Sequence, residues 1–87
     1  MPDTRLKAKI EKVLRKAYFA DASDYIDVSD GDDADIHIVI VSRKFNGMRL
    51  KAKHDLIWDA LMEGLKPEEW QKITLSVGKS PDEIKAS

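Results

Sequence analysis

Two histidines, a run of aspartates and a basic turn carry the chemistry this chain can offer. His54 closes the stretch F-N-G-M-R-L-K-A-K-H, residues 45–54. An imidazole binds a metal through a neutral ring nitrogen and changes charge near neutral pH. On a helical wheel His54 falls in the stripe of Leu50, Ile57 and Leu61, close to the start of the helix. Three readings follow: a ligand with one nitrogen open to solvent, part of a nucleic-acid-binding face, or a side chain at the core's rim that only packs. His37 lies within I-H-I-V-I-V and shares a strand face with Val39 and Val41. It is expected to be a buried or half-buried, hydrogen-bonded histidine.

The run D-G-D-D-A-D, residues 30–35, offers the carboxylates of Asp32, Asp33 and Asp35. It lacks the ligand spacing and closing bidentate Glu of a calcium loop and reads as a solvated hairpin loop. The basic stretch carries Arg43, Lys44, Arg49, Lys51 and Lys53 with no acid among them. A turn feeding a helix N-terminus points backbone N–H groups at phosphates, and these cations would surround it. Phe45 would stack on a base there, or anchor the turn in the core. The turn has a single glycine, Gly47, so the G-x-x-G clamp of a KH-type reader is missing. No hydrolase, nucleotide-binding or zinc-protease motif occurs, and the reading is non-enzymatic.

The chain has no cysteine. It cannot form disulfides, supply a thiol nucleophile or bind metal through its own thiolates. An iron–sulfur cluster would need thiolates from a partner. The net charge is −1, but the charge is blocked: six basic residues and one Glu from Arg5 to Lys16, seven Asp from Asp21 to Asp35, then five basic residues to Lys53. Such blocks can steer partners or drive self-association. The longest apolar run, 36–41, is far too short for a membrane span. The N-terminal residues show no apolar signal region, and a cytoplasmic location is expected.

These groups need a scaffold, and 87 residues are enough for one small domain, 1–87. The spacing of Leu6, Ile10, Val13, Leu14 and Ala17 predicts a helix over 4–19, capped by Asp3 or Thr4. Residues 25–29 read as a strand with Ile26 and Val28 on one face, and 36–41 as a central strand apolar on both faces. A second helix is predicted from Arg49 or Leu50 to Gly64 or Leu65. Leu50, Ile57, Leu61 and Leu65 form its buried stripe, widened by Trp58 and Met62. A helical turn at 66–70, a strand over 73–77 and a last short helix begun by Ser80 and Pro81 complete the order α-β-β-α-(α)-β-α. That order implies an α+β fold: a three-stranded mixed sheet, with a hairpin and one parallel crossover, packed with helices mainly on one side.

The segment V-S-R-K-F-N-G-M-R-L-K-A-K-H-D-L-I, residues 41–57, resembles the BolA-like family, with Val41, Ser42, Phe45, Gly47, Leu50, His54 and Ile57 in register. I-T-L-S-V and S-P-D-E, within 73–83, look like that family's third strand and helix start. The resemblance covers nearly the whole chain. It implies a KH-like type II fold and a non-enzymatic adaptor that binds a monothiol glutaredoxin. It further implies a shared or transferred [2Fe–2S] cluster, in iron–sulfur trafficking or iron regulation, with thiolates from glutaredoxin and glutathione. In this resemblance His54 is a cluster ligand. The family's second ligand is a Cys or His in the loop before the central strand, where this chain has Asp32, Asp33 and Asp35. Lys53 stands where the family usually has Arg, and Asp55 follows the histidine where a basic residue is usual. Pro67 to Trp70 looks like an insertion. Some bacterial members are DNA-binding regulators of morphology and stress genes, which implies the alternative role for the basic 43–53 segment. A monomer or weak homodimer is expected.

Overall fold

The computed structural model describes residues 4–86. The elements follow the expected order: α1 (Thr4–Ala17), β1 (Tyr25–Asp30), β2 (Ile36–Val41), α2 (Leu50–Gly64), α3 (Pro67–Trp70), β3 (Ile73–Lys79) and α4 (Pro81–Ala86). Two 3₁₀ turns, Asp32–Ala34 and Arg43–Phe45, sit on either side of β2. The sheet order is β1-β2-β3, with β1 and β2 antiparallel and β2 and β3 parallel. This is the expected α+β architecture. No helix among the described residues is long and apolar enough to cross a membrane.

The apolar spacing of α1 works as predicted for Leu6, Ile10 and Leu14, which are buried. Ala17 is exposed, and the helix stops there rather than at residue 19. The amides of Tyr18 and Phe19 both close onto the Leu14 carbonyl, which ends the helix and turns Phe19 into the core. The alternative cap Asp3 lies outside the described residues.

All helices needed for the core lie on one face of the sheet. Ile36, Ile38 and Ile40 of β2 are buried in one cluster with Leu6, Ile10 and Leu14 of α1 and Ile57, Ala60 and Leu61 of α2. Ile26 and Val28 join from β1, as their alternation predicted. The other face of β2, with His37, Val39 and Val41, is only half-buried. The central strand is thus apolar on both faces but covered by helices on one.

In β3 the partner of Ile36 is Ile73 while that of His37 is Leu75, so a bulge at Thr74 resets the register. A slip of one residue exchanges the faces of a strand. Ser76 and Gly78 therefore turn to the helix side, and their small size lets side chains approach. A Cβ on Gly78 would lie 2.9 Å from the Phe45 ring. β3 runs two residues past the predicted end because pairing with β2 continues to Val41↔Lys79, and the Ser42 amide then donates to the Lys79 carbonyl.

Candidate functional site

The segment 42–54 is fixed at its start by a buried polar contact. The Ser42 hydroxyl donates to Asp24 Oδ1 at 2.7 Å, and Ser42 Oγ accepts from the Lys44 amide at 3.2 Å. This caps the 3₁₀ turn Arg43–Phe45 and ties the end of β2 to the start of β1. Phe45 is fully buried, with its ring 5.5 Å from that of Phe19. It is a core anchor, and the alternative of a base-stacking surface is corrected. Gly47 has φ +74°, the left-handed conformation glycine adopts without penalty. The chain then enters α2 at Leu50.

His54 is exposed on the first turns of α2, more open than a core-rim position. Its ring lies 5.9 Å from the Trp58 ring, tilted by 36°. Trp58 is held in turn: its Nε1 donates to Ser76 Oγ at 3.1 Å, and its ring meets Trp70 edge-on at 6.0 Å. The short helix that brings Trp70 is closed by the Lys66 amide donating to Glu69 Oε1. The two tryptophans thus brace one side of the imidazole. Sequence reading missed this cluster, although the four-residue spacing of His54 and Trp58 on one helix was a signal for it.

Beside His54 lies a groove of about 380 Å³ between α2 and β3. Leu50, Lys53, His54 and Ile57 form one wall, and Ser76 and Gly78 the other. Leu50 stands at its lip and is 79% exposed. This corrects the expectation that Leu50 belongs to the buried stripe: it opens the helix beyond the edge of the core. Met62 is likewise exposed, while Ala60 and Lys53 take buried positions.

The basic segment divides. Arg43, Lys44, Arg49 and Lys51 are exposed. Lys53 is not with them: it is only 6% exposed and its ammonium binds Glu83 Oε1 at 2.5 Å. The expectation of Lys53 on a phosphate-binding face is corrected, because its charge is consumed inside the fold. Charge from the blocks is also cross-linked, Arg43 pairing with Asp21 at 3.3 Å and Lys7 with Asp30 at 2.9 Å. Lys51 pairs with Asp55 one turn on. The Ser23 amide and hydroxyl, and then Arg43, hold the Asp21 carboxyl below its usual range.

Asp32, Asp33 and Asp35 lie in the hairpin loop as expected. The Gly31 amide donates to the Asp35 carbonyl at 2.7 Å, and Asp33 takes a left-handed φ of 51°. His37 packs over this loop, so close that a Cβ on Gly31 would overlap its ring. It is half-buried as expected, but its expected hydrogen bond is not among those of the described residues. The loop adjoins the start of β2, whereas α2 follows its end. Among the described residues no three His, Cys, Asp or Glu side chains are grouped to hold a metal ion. The loop offers hard carboxylates, and its neighbour His37 is on the open face of the sheet while His54 is on α2 at the helix side. The two imidazoles are not brought together, so the residues present do not fit a cluster site built from two ligands of this chain.

No protein-family model matches the chain, and no curated protein matches its sequence. Among solved structures, a bolA protein homologue from Coxiella burnetii is similar over 98% of this chain and 99% of its own, with a TM-score of 0.56 and 22% identity. At that identity the similarity concerns the fold, and the fold of this chain is that of a bolA protein homologue.

Proposed function

We propose that the chain is a BolA-like, non-enzymatic adaptor that docks a monothiol glutaredoxin on the groove between α2 and β3. The observation that carries this reading is the groove itself, with Leu50 at its lip and the Trp58-braced His54 beside it. An exposed leucine beside an apolar cleft offers surface that a partner can bury. The fold neighbour and the F-x-G…H segment support the family. The all-aspartate loop favours docking that does not depend on a shared [2Fe–2S] cluster, with His54 as a contact residue.

The test is calorimetric titration of a monothiol glutaredoxin, apo and cluster-loaded, with this protein. Saturable binding to both forms is expected, weakened tenfold or more by Leu50→Asp. Absence of binding to either overturns the reading. Visible circular dichroism of the loaded form decides the cluster question. A change that vanishes in His54→Ala would make His54 a cluster ligand and overturn the cluster-independent version.

The second reading, a DNA-binding regulator, rests on the exposed Arg43, Lys44, Arg49 and Lys51 around the turn into α2. Four phosphate contacts would give a slope of log K against log salt of about −3.6. Salt-insensitive or absent duplex binding sets this reading aside.

A further inference from the structure

The face of the sheet opposite the helices presents a three-by-three grid. Its rows are Tyr25–Val41–Lys79, Asp27–Val39–Val77 and Ser29–His37–Leu75. Tyr25 is 56% and Leu75 45% exposed. The valines between them are half-buried by their neighbours alone. The only formal charges in the grid are Asp27 on one edge strand and Lys79 on the other. Among the described residues neither has an ion-pair partner, whereas Arg43–Asp21 and Lys7–Asp30 join the basic and acidic blocks elsewhere. They stand on opposite sides of β2, roughly 10 Å apart across the sheet and about 7 Å along it, too far to pair within one chain.

We propose that this face is a self-association surface on which two copies pack sheet to sheet, β1 of one over β3 of the other. Symmetry and charge choose the arrangement. A two-fold axis perpendicular to the strands would place β1 over β1 and set Asp27 against Asp27 of the second copy. An axis parallel to the strands places β2 over β2 and each β1 over the other copy's β3. Asp27 then lies over Val77 of the second copy, one step from its Lys79, and the contact repeats on the other side. Tyr25 lies over the Lys79 stem of the second copy, and Val39 and Val41 meet across the axis. The packing is that of an aligned β-sandwich.

Size sets the strength. The grid spans roughly 15 by 20 Å, less than the ~800 Å² per partner of a standard interface. The dimer is therefore weak, with a dissociation constant on the order of 0.1–1 mM. The helix-side groove stays outside this contact, so a dimer presents two grooves. The inference does not depend on what the groove binds.

Sedimentation equilibrium of the full chain up to about 1 mM, with amide chemical shifts followed on dilution, tests it. A monomer–dimer equilibrium is expected, with concentration-dependent shifts confined to residues 25–29, 37–41 and 75–79. Asp27→Lys and Lys79→Asp should each weaken it several-fold, and the double exchange should restore it. Both positions lie outside the core, and the restored double variant guards against a folding defect. A monomer at 1 mM, shifts located in the α2–β3 groove, or a double exchange that fails to restore association overturns the proposal.

Discussion

Lys53 of α2 and Glu83 of α4 form an ion pair of 2.5 Å that is closed to solvent on the lysine side, where only 7% of the side chain is exposed. Glu83 also accepts from the Ser80 amide at 2.9 Å, while the Glu83 amide donates to Ser80 Oγ at 3.2 Å. This is a capping box whose glutamate serves a second element. One carboxylate both starts α4 and fastens it to the wall of the groove.

The pair makes stability depend on acid. The Lys53 hydrogen bond, and then that of the Ser80 amide, lower the Glu83 pKa from 4.5 to about 2. The unfolded chain takes up its proton first, so protonation favours unfolding. The contribution is complete above pH 4.5 and is lost as pH falls towards about 2. Thermal unfolding of the wild type and of Glu83→Gln should show the wild type more stable at neutral pH. The gap should close on acidification. A gap that stays constant down to pH 2 would mean that the carboxylate charge is not what matters.

Gly31 and His37 are predicted to be coupled. A methyl group at Gly31 would overlap the imidazole, which must turn aside, and holding a side chain off its rotamer costs about 0.5–1.5 kcal/mol. Gly31→Ala should destabilise by that order. In a His37→Ala background the same change should cost little, because its obstacle is gone. Urea unfolding of the four proteins in the cycle measures the coupling directly. Additive effects would show that the loop backbone, rather than the ring, sets the need for glycine.

The fold was legible wherever one local pattern had one solution. I-H-I-V-I-V, nearly all β-branched, is the strongest strand signal in the chain, and S-P-D-E marks the start of α4 at the observed residue. The site was less legible, because its key relations are tertiary. A wheel placed Leu50 in the buried stripe, but only the extent of β3 decides that the first turn of α2 overhangs the core. Lys53 read as part of a basic face because its partner lies 30 residues away. The open face of the sheet was hidden by composition: a strand apolar on both sides does not say which side the helices take.

Leu50 separates docking from folding. At 79% exposure its removal should change stability by no more than about 0.5 kcal/mol. An acidic residue at the first position of α2 would in fact favour the helix by about 0.3–1 kcal/mol. Leu50→Asp should therefore melt at or slightly above the wild-type temperature while losing partner binding at the groove. A marked fall in melting temperature would show that Leu50 packs more than its exposure implies, and would remove it as a probe of docking.

Phe45 gives the opposite result. It is fully buried, touches Phe19, and lies under Gly78 so closely that β3 tolerates no side chain there. Phe45→Ala should cost about 3–5 kcal/mol in urea unfolding, and Phe45→Leu, which leaves a smaller cavity, less. The turn that presents Arg43, Lys44 and Arg49 hangs from this ring. Any loss of partner or nucleic-acid binding in Phe45→Ala should therefore follow the fraction unfolded. Binding lost in Phe45→Leu at full foldedness would instead place the ring at the surface in the bound state, against its burial here.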